Sequence, residues 1–387
     1  MAMFFVIEKI MQILAGFSCY GAVGLAYFEL SKTEISSYIG TTLLIIVSTF
    51  TIMVPTIALF QKTLSHLTGL PLVWLLFTPI VGIANVIILT KMTLWQSEQK
   101  SLPYGIFMVL QSGLSVGLAI YLVVILNLSW QGRLISGIVT AGIFSVISLW
   151  ILIKSGYLRW SWNKNYAKDM LRFGVPLVPH QAASWIKYSL DRLMIVSMIG
   201  LGSAGIYAVA AALSKAVSLL VISFATAWSP YVFGSLSSQK AGTREHLVRL
   251  SYLYLFVLSL CAAGYAIGAP HLIPWVIGPR YKEAFRYLPL LVIAELLDGY
   301  YRTFAVYIFY TKRNEFLSMV TTASSLVHLG LLYISVKQYG IMGAAVTMII
   351  SSFINFTLTA WLSNKVYPMP WNLLLWKPKN KNINIPR

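Results

Sequence analysis

The chain has 387 residues, of which 58% are hydrophobic and only 10% charged, and its formal net charge is +18. Soluble domains carry about 25% charged residues, so the composition excludes an ordinary soluble enzyme, a disordered chain and a coiled coil. An excess of 29 Lys and Arg over 11 Asp and Glu would suit nucleic acid in a soluble protein. No basic stripe or nucleic-acid motif accompanies it here, which leaves the positive-inside rule or an anionic ligand as its cause.

Taken in chain order, apolar runs predict membrane helices near 4–28, 38–60, 71–92, 104–126, 133–153, 175–199, 205–233, 249–270, 286–310, 316–336 and 342–362. Each is long enough to cross a bilayer, which takes about 20 apolar residues. The reading is therefore an all-α polytopic membrane protein with about eleven transmembrane helices. A five-helix N-terminal lobe covers 1–153, a basic linker 154–174, a six-helix C-terminal lobe 175–362 and a basic tail 363–387. Pseudo-repeated halves of this kind are a common transporter architecture. In the first segment Glu8 and Lys9 stand where the apolar part of a leader would begin, so 4–28 reads as a membrane helix and not as a cleaved signal.

Sorting Lys and Arg by loop gives an orientation. Eighteen fall after the odd-numbered segments, including Lys32, Lys100, Lys154 to Arg172, Lys240 and Lys377 to Arg387. Six fall on the other side: Lys62, Arg133, Arg280, Lys282, Arg286 and Lys337. The first set is cytoplasmic by the positive-inside rule, which puts the C-terminus inside. An odd helix count then leaves the N-terminus outside. No phosphate-binding loop or ATP-binding cassette is present, so no cofactor is expected and any energy must come from a gradient.

The first lobe offers Asn85, Lys91, Gln111, Ser112 and Ser115 as polar membrane residues. Lone Asn, Gln and Ser read as helix–helix contacts. The charges concentrate in the second lobe: Lys187, Asp191 and Arg192 in 175–199, Lys215 in 205–233, and Glu295, Asp298 and Arg302 in 286–310. A charge at a helix centre costs about 2.5–3.5 kcal/mol to insert, so these groups must face a cavity or each other. His180, Ser184, Lys187 and Asp191 lie at i, i+4, i+7 and i+11 and form one stripe. Gln181, Tyr188 and Arg192 form the adjacent stripe. Glu295, Asp298 and Arg302 share a face, as do Lys215, Ser218, Thr226 and Ser229.

Two readings stay open: structural i,i+4 ion pairs, Lys187 with Asp191 and Asp298 with Arg302, or a cavity lining with one net positive charge. The second suits an anionic head group such as a phosphate. Lys215 has no acid at i±3 or i±4 and reads as a free cation. Cys19 and Cys261 read as packed thiols. His271 and His328 read as isolated, with no metal-ligand spacing.

The stretch Phe173-Gly174-Val175-Pro176-Leu177-Val178-Pro179, followed by Trp185, Asp191-Arg192, Gly205-Ile206-Tyr207 and Ala227-Trp228-Ser229-Pro230, resembles the opening of the second lobe of Wzx-type polysaccharide-biosynthesis flippases. These belong to the MATE-like MOP exporter superfamily. Tyr310-Thr311-Lys312 and Tyr339 to Ala345 resemble its later loops, and Leu94 to Tyr104 and Trp130 to Arg133 its first half. The resemblance implies twelve helices, both termini inside and two lobes around a cavity. It also implies export of undecaprenyl-pyrophosphate-linked oligosaccharide across the bacterial cytoplasmic membrane for O-antigen, capsule or exopolysaccharide. A polysaccharide polymerase and a chain-length regulator are implied as partners.

Against that pattern the sequence lacks the usual first helix, which suggests a shortened member or a start at an internal Met. Lys187, Arg192, Lys215 and Arg302 are the candidates for phosphate or sugar contact. Asp191, Glu295 and Asp298 are the candidates for coupling or for holding those cations. The resemblance supports Asp191 and Arg192 most directly. A drug or ion antiporter of the same superfamily, or a membrane polymerase or transferase, remains as an alternative. A catalytic reading needs an outward loop with acids, and the longest, Pro270 to Arg286, holds only Glu283.

Overall fold

A computed structural model describes residues 2–272 and 281–372. Arg280, in the stretch that the sequence reads as an outward loop, and Lys377, Lys379, Lys381 and Arg387, in the stretch that it reads as a basic tail, lie outside the described residues. Among the described residues the protein is helical throughout, as a lipid environment demands of a chain that must satisfy its own backbone. It folds as two compact units, Met1–Val178 and Pro179–Arg387.

The first unit opens with α1 (Ala2–Leu14) and α2 (Tyr20–Glu29), joined by the 3₁₀ turn Ala15–Ser18. The sequence predicts one unbroken helix here. Gly16 breaks it, with φ +67°, and Phe17 and Ser18 follow at positive φ. A Cβ on Gly16 would come 2.7 Å from Ile46, so the glycine permits both the turn and close packing on the next helix. Helix α3 (Lys32–Leu59) starts at a capping box in which Ser31 accepts from the Glu34 N–H and Glu34 accepts from the Ser31 N–H, satisfying two orphan donors. The short α4 (Gln61–Thr68), α5 (Leu72–Ser97), α6 (Ser101–Ile120) and α7 (Ser129–Lys154) follow.

Their core is Phe4, Ile7, Leu75, Val81 and Leu134, with Ala15, Leu43, Ile46 and Val86 beside the turn. Helix α6 exposes Leu102, Ile106, Val109 and Leu110, the surface of a helix facing lipid. The linker contains α8 (Lys164–Gly174), capped by the Asn163 carboxamide. It buries Ala167, Met170 and Phe173 and exposes Lys164, Lys168 and Arg172. Tyr38 donates to Asp169 at 2.9 Å, fixing α8 to α3.

The second unit is built from α9 (Leu177–Met198), α10 (Leu201–Ser237), α11 (Thr243–Leu272), α12 (Ala284–Tyr310) and α13 (Asn314–Val366). Pro179 sits in the first turn of α9, where its missing N–H has no intrahelical acceptor to lose. The sequence predicts two helices at 316–336 and 342–362. They run on as one 53-residue element with a kink at Gly340, at φ +60° and ψ −138°. Ile195, Tyr207, Leu291, Leu332 and Met348 form one core, and Val217, Val221, Leu258 and Leu288 another. Gly343, Ala344 and Ala345 are buried; small residues of this kind let helices approach closely in lipid.

Among the described residues, eight helices are long and apolar enough to cross a membrane. Helices α9 and α12, at 22 and 27 residues, are long enough but carry the charges. With these two counted, and α13 divided at its kink, the crossing segments come to eleven, the number read from the sequence.

Candidate functional site

The seven charged candidates fall around two cavities, both inside the second unit. The first, of about 180 Å³, is walled by α9, α10, α12 and α13. His180, Ser184 and Lys187 come from α9, and Asp298, Tyr301 and Arg302 from α12. Ser324, Ser325, Ser352 and Asn355 come from the two arms of α13. The second, of about 100 Å³, has Asp191, Arg192, Tyr207, Lys215 and Glu295 on its wall. The single stripe from His180 to Asp191 thus serves two places. Its first three residues face one cavity and Asp191 faces the other.

In the first cavity Arg302 Nε donates to Asp298 Oδ2 at 2.7 Å. This is the i,i+4 pair that the spacing predicts, and it stands on the cavity wall, so pairing and lining are not alternatives here. Lys187 is buried, and its Nζ lies 3.3 Å from the Ser352 hydroxyl. The expected Lys187–Asp191 pair is replaced by tertiary contacts. Asp191 takes Tyr207 at 2.6 Å and His328 at 2.7 Å, while Lys187 is left with a hydroxyl. Two cations against one carboxylate give this cavity the surplus positive charge. His180 Nδ1 meets Thr321 Oγ1 at 2.8 Å, and its ring stacks on Tyr301. Thr321 Oγ1 also lies 2.8 Å from the Leu317 carbonyl.

In the second cavity the expectation of a free Lys215 is corrected. Its Nζ bonds Glu295 Oε1 at 2.6 Å, across 80 residues of sequence. Spacing along one helix cannot reveal such a partner. Glu295 is buried and Lys215 half-exposed, so the lysine shields the acid and keeps one side open to the cavity. Arg192 is exposed. Opposite charges balance here.

Three further groups are missed by the sequence reading. His328 is not isolated: fully buried, it contacts Asp191 and Ser351. Its signal was the run Thr321, Ser325, His328 at i, i+4 and i+7, a polar stripe in a segment without charge. Glu8 accepts from Asn85 at 2.9 Å. Arg133, counted as a loop residue, lies within α7, donates to Ser115 and Ser136 and sits over the Phe5 ring. Glu8, Asn85, Gln111, Ser112, Ser115 and Arg133 all line a third cavity, of about 430 Å³, inside the first unit. The residues read there as helix–helix contacts therefore stand on a polar wall. Lys91 is fully buried against the Trp95 ring at 4.6 Å.

A family model described as polysaccharide biosynthesis protein matches residues 2–236. A protein of the Lsg locus of Haemophilus influenzae is 23% identical over 246 residues, which cover 62% of this chain and 60% of that protein. An uncharacterized membrane protein of the same organism is 20% identical over 277 residues, covering 68% and 67%. The chain thus spans about 60–67% of the length of these curated relatives. Among solved structures, a multidrug resistance MATE family transporter of the MOP superfamily, outward-facing, superimposes with a TM-score of 0.74 at 14% identity, over 94% of this chain and 86% of that one. The Vibrio cholerae MATE transporter VcmN in its bent form gives 0.68 at 17% identity, over 94% and 89%. These likenesses establish the fold.

Proposed function

Since the chain belongs to the polysaccharide biosynthesis protein family and carries the MATE fold, we propose that it is a flippase for polyprenyl-pyrophosphate-linked oligosaccharides in a bacterial cytoplasmic membrane. The observation that carries this reading is Lys187. A buried ammonium is costly unless it is well paired. This one faces a cavity beside Arg302 with a hydroxyl as its hydrogen-bond partner. Such a site is incomplete without an anion. A pyrophosphate supplies a charge-assisted acceptor for Lys187, beside the Arg302 guanidinium. The serines and Asn355 on the same wall suit sugar hydroxyls. Arg192 and Lys215 extend the cationic contacts, with Glu295 holding Lys215 and Asp298 holding Arg302 in place.

A drug antiporter of the same fold is the second reading, favoured by the acid Glu8 in the first unit's larger cavity. The surplus cation in the second unit disfavours cationic drugs. Complementation separates the two. In a strain lacking its oligosaccharide flippase, the wild-type chain restores surface polysaccharide and Lys187→Ala at equal membrane abundance does not. Restored drug resistance without polysaccharide would favour the antiporter.

A further inference from the structure

The segment between α7 and α8 is held to α3 by its backbone. The Arg159 N–H donates to the Ser36 carbonyl at 3.2 Å. The Thr41 hydroxyl lies 3.0 Å from the Ser161 carbonyl and accepts from the Asn163 N–H at 3.3 Å. A Cβ on Gly40 would overlap the Arg159 carbonyl oxygen, so the glycine permits the close approach. Trp160 and Trp162 alternate with these anchored residues, and each is 60% exposed. Indoles are normally well covered. Two of them displayed on an anchored backbone mark a surface that meets something other than water.

Helix α8 follows directly. Asn163 is extended, at φ −129° and ψ 116°, so Trp162 and Lys164 leave the chain on the same side. Lys164, Lys168 and Arg172 then stand at i, i+4 and i+8, all exposed, on one stripe. The opposite face is occupied. Met170 Sδ lies 3.2 Å from the Thr42 hydroxyl, and Asp169 accepts from Tyr38. The Phe173 ring lies so close to Gly21 that a Cβ there would come within 3.0 Å of it. The helix therefore cannot roll its cations away. Asp169 is the single acid from 154 to 174, against Lys154, Arg159, Lys164, Lys168 and Arg172. Among the described residues, no ion pair includes Lys164, Lys168 or Arg172.

The anchor points fix the depth. Ser36, Tyr38, Gly40, Thr41 and Thr42 lie in the first three turns of α3, a helix long and apolar enough to span the bilayer. The surface thus sits at a membrane boundary. Tryptophan is a residue of that boundary, and a basic helix lying in it is drawn to anionic lipid. A zwitterionic surface would suit the indoles and leave the cations unanswered. An acidic protein would suit the cations and leave the indoles at headgroup depth unexplained.

We propose that Trp160, Trp162, Lys164, Lys168 and Arg172 form a docking surface for anionic phospholipid headgroups of the leaflet they border, which the sequence predicts to be the cytoplasmic one. The proposal concerns lipid binding and stands apart from the flippase reading. The test uses the full chain in phosphatidylcholine vesicles with a minor fraction of brominated lipid, bromine being a contact quencher of tryptophan. The difference between wild type and the double change Trp160→Phe, Trp162→Phe isolates the signal of the two indoles. Brominated phosphatidylglycerol should quench that signal at a several-fold lower membrane fraction than brominated phosphatidylcholine. The preference should fall about fivefold for each charge removed in Lys164→Gln, Lys168→Gln and Arg172→Gln, and should shrink as salt rises. Lys168→Arg keeps the charge and should keep the preference. Equal quenching by the two lipids, or a preference that survives the triple change at unchanged melting temperature, overturns the proposal. Quenching by neither lipid also overturns it and leaves an acidic protein as the partner. Displacement of phosphatidylglycerol by a polyprenyl-pyrophosphate saccharide equimolar with the protein would overturn it in favour of the transport substrate.

Discussion

At the scale of residues, Lys187 and Lys215 separate binding from pairing. Lys187→Met keeps the volume and removes a buried charge. Replacing buried ionic groups by well-packed apolar ones is often neutral or stabilising by about 1–4 kcal/mol. The variant should therefore be as abundant as wild type and melt no lower, yet its transport should fall at least about tenfold, the loss of a charged hydrogen bond of about 1.5–3 kcal/mol. Melting curves and transport measured on one preparation check both halves; a variant that is less stable but fully active would assign Lys187 to structure. Lys215→Ala leaves Glu295 buried and unpaired, so it should lower stability by about 1–3 kcal/mol, and adding Glu295→Ala should recover most of that. If transport recovers with stability, Lys215 serves only its partner. The charged residues themselves were legible in the sequence, because charge is conspicuous in apolar helices. Their partners were not. Asp191 with His328 is a contact across 137 residues, and Lys215 with Glu295 one across 80; helical periodicity speaks only of neighbours within a few turns.

At the scale of elements, apolar run length located the spans, because lipid fixes their length. The breaks within them were less visible. Gly16 interrupts a run whose hydrophobicity barely changes and is not flanked by proline, whereas Gly340 falls in the gap after Lys337 and Gln338 that separates the two predicted helices. Both positions need positive φ. Gly340→Ala should cost about 1–3 kcal/mol, since its φ and ψ are nearly closed to residues with a Cβ. Gly264→Ala is the control: it lies in α11 with nothing within 4 Å of its Cβ position, and the exchange should be neutral or slightly stabilising by helix propensity. Thermal unfolding of the two detergent-solubilised variants decides it; equal melting would remove the strain argument. The amphipathic α8 was hidden for another reason. Its apolar face is short, and its Lys and Arg made the whole segment read as a linker.

At the scale of the molecule, eleven crossing segments among the described residues and the basic asymmetry of the sequence predict an orientation. Cysteines introduced at Asn163 and Gly242 should resist an impermeant thiol reagent in intact cells and react after the membrane is opened. A cysteine at Pro279 should react from outside. Labelling of Asn163 in intact cells would reverse the orientation. The fold could be read in full outline because the composition leaves few alternatives to a helical membrane protein. The cavities could not, since they are made by four helices meeting, and a pattern along one helix records only which face is polar.

The central claim is that the cationic cavity of the second unit serves a pyrophosphate-linked saccharide. It is tested most directly by reconstituting the purified protein in vesicles with a fluorescent polyprenyl-pyrophosphate oligosaccharide and following head-group accessibility across the bilayer. The account predicts transfer well above protein-free vesicles, lost in Lys187→Ala and in Arg302→Ala. Transfer no faster than in protein-free vesicles, from a protein that is folded and correctly inserted, would contradict it.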